Sequence, residues 1–220
     1  MFNKQVDIYN DIFLDILSQK YPPNTILKER DLALKYKTSR TTVRQILQKL
    51  SHENKIIINP RSKTVVKKIN LEKIHQSFLL RQCLELTVAS LIIKRIKTKD
   101  LEYLSKNLVK QKKILLRYNS NSNKKYIHID NEFHCYLFKV CDLEAFWKII
   151  SEQNFDFERL RYISANNKKR CEESTKEHIK IYNAIKKRSS SLLKKAINLH
   201  FSNSKKYYRG LLKLNEEIIE

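Results

Sequence analysis

The chain has 220 residues, of which 41% are hydrophobic and 31% charged, a balance that supports a packed core and excludes disorder along its whole length. Its 45 Lys and Arg residues outnumber 23 Asp and Glu, so the formal net charge is +22. The single glycine excludes glycine-rich phosphate-binding loops, and no apolar run approaches the length of a transmembrane helix.

The positive charge indicates a polyanionic partner, either nucleic acid or an anionic membrane surface. A general bias of the sequence towards Lys, Asn and Ile is the alternative explanation. The first residues lack the apolar stretch of a signal peptide, so we expect a cytoplasmic protein with no membrane partner.

The first 70 residues predict three helices followed by a hairpin. Apolar residues share one face of the first helix, at Ile8, Ile12, Phe13, Ile16 and Leu17. A Tyr-Pro-Pro-Asn sequence at 21–24 ends that helix, and a short second helix follows. Thr38 and Ser39 form an N-cap signal for the third helix. The inner face of the third helix carries Val43, Ile46, Leu47 and Leu50. Two β-branched runs, 56–58 and 64–66, predict the hairpin, and the order is that of a winged helix-turn-helix.

From residue 71 onward the pattern predicts helices alone. We expect them at 74–96, 101–118, 130–140, 144–162, 172–187 and 191–214, with a polar linker at 119–123. In the first of these helices Leu80, Leu84, Val88 and Leu91 lie on one side. The predicted fold class is therefore mainly α. A winged helix-turn-helix domain (1–70) precedes an all-helical antiparallel bundle (71–220).

The third helix has the properties of a DNA-recognition helix. Its capped N-terminus offers backbone N–H groups to phosphate. Arg40 and Arg44 are four residues apart and project from the same outer face, where arginine can bond a guanine edge. Thr41 can reach phosphate or a thymine methyl group. The alternative is an ordinary helix with a solvated basic face.

Residues 12–66 resemble the DNA-binding domain of the GntR family of bacterial transcription regulators. The matching segments are 21–27, 29–33 and 39–44, with Leu47 and Leu50. The resemblance implies that operator DNA is contacted by Arg30, Ser39, Arg40, Thr41 and Arg44.

The chain departs from that family at three turns. Asn24 and Asn54 replace family glycines, and asparagine tolerates a left-handed backbone better than other non-glycine residues. At the wing tip, Arg61-Ser62-Lys63 stands where the family usually has glycine. We expect Arg61 to contact DNA there through its charge.

The helical region contains a candidate metal site. Asp130 and His134 are one helical turn apart and form a half-site. His178 and His200 can approach each other if the chain folds back at the serines 189–191. Three histidines and an aspartate suit Zn²⁺, Ni²⁺ or Mn²⁺. The alternative for each histidine is a hydrogen-bonded core residue, and we expect no ligand role for the other three, His52, His75 and His128.

Residues 80–200 resemble the FCD effector domain of the FadR subgroup of the GntR family. The matches are Leu80-Arg81 with Leu84-Glu85, Asp130 with Phe133-His134, and a segment from Glu173 to Ile185 followed by His200. The resemblance implies a divalent metal ion held by Asp130, His134, His178 and His200. Arg81 either binds the carboxylate of an effector or forms an ion pair with Glu85.

These features predict a homodimeric transcription regulator that binds a near-palindromic DNA operator. A metal ion and a small organic acid effector in the helical domain would modulate operator affinity, and the long C-terminal helices would form the dimer surface. One alternative is a metal-dependent hydrolytic enzyme that uses the Asp/His cluster. Another is an RNA-binding or nucleoid-binding protein that uses only its charge.

Overall fold

The computed structural model describes residues 2–59, 63–119, 121–152, 154–214 and 216–220. It divides into two compact units, Met1–Leu71 with Asn215–Glu220, and Glu72–Leu214. Helices dominate both units, and a two-stranded sheet lies in the first. The mainly α fold class is confirmed.

The first unit has the predicted order of elements. They are α1 (Phe2–Leu17), α2 (Glu29–Lys35), α3 (Arg40–His52), β1 (Ile56–Ile58) and β2 (Thr64–Val66). The strands pair antiparallel, with Ile56 opposite Val66. After the last long helix of the chain, the segment around a short 3-10 helix (Glu216–Ile218) also lies in this unit, where Ile69 N–H donates to the Ile218 carbonyl at 2.9 Å. A winged helix-turn-helix results.

The core of the first unit forms from the predicted apolar stripes. Val43, Ile46, Leu47 and Leu50 of α3 are all buried, and α1 contributes Ile8, Ile12, Ile16 and Leu17. Burial of each such aliphatic side chain stabilises the fold by about 1.5–3 kcal/mol. The apolar side of α3 is thereby fixed against the core, so its polar side must face solvent.

Asparagine holds two of the left-handed backbone positions in this unit. Asn24 has φ 67° and Asn54 has φ 58°, as expected at the two positions where asparagine replaces glycine. The N–H of Asn24 donates to the Val66 carbonyl at 2.9 Å, which ties the first turn to β2.

The second unit is a bundle of helices. Its elements are α4 (Leu71–Arg95), α5 (Thr98–Leu116), α6 (Ser122–Val140), α7 (Glu144–Glu152), α8 (Phe155–Ser164), α9 (Lys168–Lys186) and α10 (Ser190–Lys213). Helix α5 packs against α6 and α9, and α9 packs against α10. Ser189 caps α10, its Oγ accepting from the Leu192 N–H at 3.3 Å, so the chain reverses between α9 and α10 as the serines predicted.

Two predicted helix boundaries in the bundle are wrong. Helix α6 begins at Ser122, eight residues before the expected start, so the last two residues of the predicted linker are helical. The single helix predicted over 144–162 is two helices, α7 and α8. Asn154 occupies the N-cap position of α8, although its side chain makes no cap hydrogen bond.

The apolar side predicted for α4 is only partly buried. Leu80 and Leu91 are 38% and 36% exposed. The buried side carries Ile74, Phe78, Arg81, Glu85, Val88, Ala89 and Ile92. A buried ion pair between Arg81 and Glu85 lies on this side, so the core face of α4 includes charged residues and only Val88 of the four residues named from the sequence.

Helix α4 is long and apolar enough to cross a membrane by length and composition alone. One such helix is weak evidence for a membrane span, since core helices of soluble proteins have the same properties. In this chain the helix buries two charged side chains, Arg81 and Glu85, inside the bundle.

Candidate functional site

The N-terminus of α3 is built by a side-chain cap. Ser39 has an extended backbone, and its Oγ accepts a hydrogen bond from the Thr42 N–H at 3.1 Å. Such a cap stabilises a helix by about 1 kcal/mol. The helix therefore starts at Arg40, with its positive dipole end at the residues predicted to meet phosphate.

The predicted DNA-contacting residues of α3 lie on its solvent side. Ser39, Arg40, Thr41 and Arg44 are exposed. The Arg44 guanidinium forms two hydrogen bonds to the Glu29 carboxylate, both 2.9 Å long, which orient it across the α2–α3 surface.

The other two predicted DNA contacts lie outside α3. Arg30 is exposed on α2. Arg61 lies outside the described residues. We call this set of exposed residues of α2 and α3 the α3 surface: Arg30, Ser39, Arg40, Thr41 and Arg44.

In the bundle, three imidazoles from three helices converge. His134 lies on α6, His178 on α9 and His200 on α10, and one ligand atom of each lies within 4.8 Å of the others. The Nε2 atoms of His134 and His178 are 3.3 Å apart. All three side chains are buried. The structure therefore brings together the histidines that the sequence predicted, and we call them the imidazole cluster.

Asp130 borders the imidazole cluster. Its carboxylate lies 3.5 Å from His178 Nε2 and 3.9 Å from His134 Nε2. It is also bonded to the buried guanidinium of Arg161, which in turn contacts Glu158. The fourth predicted ligand is thus beside the cluster and shared with an arginine.

Each imidazole has a partner on its Nδ1 side. His134 Nδ1 lies 3.0 Å from Glu85 Oε2, and His200 Nδ1 lies 2.7 Å from Glu177 Oε2. His178 Nδ1 lies 3.0 Å from the amide oxygen of Gln111. With Nδ1 of each ring held in this way, the Nε2 atoms of His134 and His178 face each other.

The protonation states follow from burial and charge. Burial lowers the pKa of His134 and of His178 below the ordinary histidine value, so both imidazoles are neutral. Burial alone would raise the pKa of Glu85, but His134 and Arg81 bring it well below its usual range. Likewise, Arg161 and the imidazoles overcome the effect of burial on Asp130 and hold its pKa low. Both carboxylates are ionised and can only accept hydrogen bonds.

Glu177 is ionised for similar reasons. Burial opposes ionisation, but hydrogen bonds from His200 and Arg170 lower the Glu177 pKa to about 2. Arg170 reaches its carboxylate at 3.2 and 3.3 Å, and Asn203 Nδ2 donates to it at 2.8 Å. The partner of His200 is therefore fixed from three sides.

A small cavity of about 40 Å³ adjoins the imidazole cluster. Asp130 and His200 line it, together with the three buried arginines Arg81, Arg161 and Arg170. Arg81 also forms the ion pair with Glu85, with 2.8 Å between Nε and Oε1. The ion pair with Glu85, one of the two alternatives for Arg81, is therefore present, and Arg81 also lines the cavity.

Sequence reasoning missed the residues behind the histidines and two of the arginines. These are Glu85 and Glu177 as imidazole partners, Gln111, Arg161 and Arg170. Glu85 and Glu177 lie within the segments that resemble the FCD domain, so a signal for them existed. Gln111 offered only a polar residue on an otherwise apolar helix face.

Relatives and solved structures are similar to the chain over nearly its whole length. It is 25% identical over 210 residues to the HTH-type transcriptional repressor RspR of Escherichia coli strain K12, covering 96% of this chain and 91% of that protein. The fold resembles that of McbR/YncC of E. coli, with a TM-score of 0.75, 15% identity and coverage of 94% and 98%. Lar, which controls expression of the Listeria monocytogenes agr system, has a TM-score of 0.65 at 16% identity and coverage of 94% and 97%.

Two family matches cover most of the chain. Residues 4–66 match the gntR family of bacterial regulatory proteins, and residues 76–203 match the FCD domain. These are families of DNA-binding transcription regulators, so the hypothesis of a hydrolytic enzyme is not supported. The chain belongs to the GntR family of transcription regulators, with an FCD domain as its C-terminal half.

Proposed function

We propose that this regulator binds a divalent metal ion in the imidazole cluster and a small carboxylate beside it, and that these ligands modulate its affinity for an operator. The observation that carries the proposal is the convergence of three buried imidazoles, each with its Nδ1 atom held by a hydrogen-bond partner. It concerns His134, His178 and His200 together.

The hydrogen-bond partners leave a lone pair on Nε2. An ionised carboxylate only accepts hydrogen bonds, so Glu85 and Glu177 each accept one from the Nδ1–H group of their histidine. A neutral imidazole with hydrogen on Nδ1 has a lone pair on Nε2. Lone pairs from His134 and His178 that face each other at 3.3 Å repel unless a cation lies between them.

The donor set fits a divalent transition metal ion. His134, His178 and His200 would hold it through Nε2, and Asp130 would be the fourth ligand. Imidazole with carboxylate suits Zn²⁺, Ni²⁺ or Mn²⁺. Carboxylates behind coordinating histidines are a recurring feature of metal sites, and Glu85 and Glu177 occupy that place.

The adjoining cavity is suited to a small anion. A bound metal ion would supply positive charge there, and Arg81, Arg161 and Arg170 provide guanidinium groups that bind carboxylates. The cavity volume of about 40 Å³ favours a small organic acid. Arg81 would pair with the acid while keeping its contact with Glu85.

The α3 surface would read the operator. We assign base-edge contacts to Arg40 and Arg44, and contacts with phosphate or a thymine methyl group to Ser39, Thr41 and Arg30. Arg61 is assigned a contact through its charge at the wing. A regulator of this kind acts on DNA in the cytoplasm.

One α3 helix reads too few base pairs to specify a genomic site, so the regulator would act as a homodimer on a near-palindromic operator. Support comes from α4, a long helix of the C-terminal domain. Leu80, Leu84, Thr87 and Leu91 form a stripe on its outer side, and Leu80 and Leu91 are more than a third exposed. A second copy would cover this stripe.

The function is tested by DNA binding at fixed salt with duplexes from around the protein's own coding region. Metal-loaded wild-type protein should change its affinity by about 5–150-fold when the right member of a panel of mono-, di- and tricarboxylates is added. His178→Ala should remove that response and retain basal DNA binding. If every acid changes the affinity of His178→Ala as much as that of the wild type, the cluster is not the sensor.

A further inference from the structure

His178 differs from the other two histidines in its partner. His134 and His200 face carboxylates, whereas His178 Nδ1 faces the amide of Gln111 at 3.0 Å. A carboxylate can only accept, but an amide can present either its oxygen or its NH2 group. The tautomer of His178 therefore depends on which side of the Gln111 amide faces the ring.

A chain of hydrogen bonds orients that amide. Gln111 Nε2 donates to Asn107 Oδ1 at 2.9 Å, and Asn107 Nδ2 donates to the backbone carbonyl of Ile129 at 3.0 Å. Asn107 and Gln111 are one turn apart on α5, and Ile129 lies on α6. This series of hydrogen bonds thus begins at a main-chain carbonyl of α6 and ends at an imidazole on α9.

Donors and acceptors can be assigned along this series of hydrogen bonds in only one consistent way. A backbone carbonyl accepts and never donates, so Asn107 must turn its NH2 group to Ile129 and its oxygen to Gln111. Gln111 must then turn its NH2 group to Asn107 and its oxygen to His178. The imidazole has to donate from Nδ1, which leaves the lone pair on Nε2.

Burial enforces this arrangement. Asn107 is 2% exposed, and Gln111 and His178 are fully buried. Reversing either amide would place two donors or two acceptors against each other without water to relieve them, at a cost of about 1–3 kcal/mol per unsatisfied group.

We propose that Asn107 and Gln111 are positioning residues that hold His178 as its Nδ1–H tautomer, with the Nε2 lone pair directed at the imidazole cluster. The role in metal binding rests on the proposed function, but the tautomer itself does not. The neutral amide pair achieves for His178 what carboxylates achieve for His134 and His200, and it adds no further negative charge to the core.

The tautomer is measured directly by ¹⁵N NMR of ¹⁵N-histidine-labelled full-length protein in a chelator, with His178→Gln to assign the signal. Free histidine in water favours the Nε2–H form, so an Nδ1–H signal from His178 reports the local structure. We expect Nδ1–H in the wild type. Gln111→Leu should lose that preference, and Gln111→Glu should retain it because a carboxylate also accepts from Nδ1.

Asn107→Leu is the more demanding variant. Among the described hydrogen bonds, those of Asn107 go to Gln111 and Ile129 and none goes to an imidazole. Removing them frees the Gln111 amide to turn, so the His178 signal should become a mixture of tautomers. Thr175→Val is the control, since it removes a buried hydrogen bond to Tyr126 from the same helix as His178. It should keep the wild-type signal.

Zn²⁺ titration supplies the second readout. Gln111→Leu should bind Zn²⁺ about 10–100-fold more weakly than the wild type, Asn107→Leu should lose less, and Thr175→Val should match the wild type. An Nε2–H signal from wild-type His178, or a wild-type tautomer and affinity in Gln111→Leu, would overturn the proposal. If wild-type His178 is Nδ1–H but the protein takes up no metal, the tautomer assignment stands and the proposed metal function fails.

Discussion

In the N-terminal domain, α3 turns its apolar residues inward and its arginines to solvent. In the C-terminal domain, α6 and α9 turn histidines and carboxylates inward, and lysines cover the exterior. His134 and His178 are fully buried, whereas the Arg44 side chain is 61% exposed. Both regions carry polar residues at candidate functional positions, but only in the C-terminal domain are those residues part of the packed core.

This difference separates function from stability in one domain and joins them in the other. An exposed arginine contributes little to folding, so changing it should affect DNA affinity alone. A buried imidazole with a carboxylate partner contributes to both, because its removal leaves a buried acceptor without a donor. The consequences can be measured, and the largest belong to the C-terminal domain.

The largest expected effect is that of metal binding on unfolding. At a metal concentration 1,000 times Kd, the bound ion should stabilise the native protein by about 4 kcal/mol. His134→Ala should lose this stabilisation because it removes a ligand. His128→Ala is the matched control, since His128 lies on the same helix with a 75% exposed side chain. Calorimetry with and without Zn²⁺ would contradict the account if both variants gained equal stability from the ion.

The next effect concerns the exposed stripe on α4. Leu80→Asp combined with Leu91→Asp should weaken dimerisation by about 3 kcal/mol or more, because each buried leucine contributes about 1.5–3 kcal/mol. Leu192→Asp on α10 is the control, with similar exposure of 46%. Analytical ultracentrifugation measures the monomer–dimer equilibrium. A double variant that stays as dimeric as the control would place the interface elsewhere.

Within the α3 surface, two arginines should differ. Arg40→Ala should cost about 1–3 kcal/mol of specific DNA binding. Arg44→Ala should cost less, because Arg44 must exchange its two bonds with Glu29 for those with DNA. Arg209→Ala removes an exposed arginine from α10 and controls for charge. Binding to specific and random duplexes at fixed salt separates the two roles, and equal losses on both duplexes would show that the arginines hold only phosphate.

The smallest expected effect concerns a buried charged residue in the N-terminal domain. Asp15 on α1 is buried. It accepts a hydrogen bond from Lys35 at 3.0 Å and forms an ion pair with Lys20 at 3.1 Å. Burial opposes its ionisation, but the lysines lower its pKa below the ordinary value. A carboxyl whose pKa is lower in the folded state stabilises the fold above its unfolded pKa, and this stability is lost as the pH falls through its folded value.

Asp15→Asn should therefore destabilise the N-terminal domain at pH 7 and have little effect at the acid end. We expect about 1–2 kcal/mol at pH 7, since solvent screens the partly exposed lysines. Urea unfolding followed by the amide NMR signals of α1 measures the loss. The same loss at pH 7 and at pH 2 would show that the pair with the lysines is not its cause.

The N-terminal domain could be predicted from sequence because its signals are local. The apolar stripe of α3, the Ser39 cap and the asparagines at 24 and 54 each follow from neighbouring residues. In the bundle the decisive partners are far apart along the chain. The sequence offers Arg81 and Glu85 as an ion pair one helical turn apart, but the contact of Glu85 with His134 on another helix appears only in the structure.

The same reason explains why the residues behind His178 were missed. Asn107 and Gln111 interrupt an apolar face of α5 formed by Leu104, Leu108 and Leu115, and that irregularity is visible in the sequence. Its meaning depends on a carbonyl of α6 and an imidazole of α9, which the pattern of one helix cannot reveal. Polar residues that interrupt an apolar helix face can thus be recognised in the sequence, but their hydrogen-bond partners become known only from the structure.

The central claim, that the buried cluster of the C-terminal domain is a metal centre, is tested most directly by metal content. The purified full-length protein is dialysed against a weak chelator and its metal is measured by elemental analysis. The account predicts close to one divalent ion per chain in the wild type and in His128→Ala, and little in His178→Ala. A wild-type protein without bound metal, or His178→Ala with wild-type content, would contradict it.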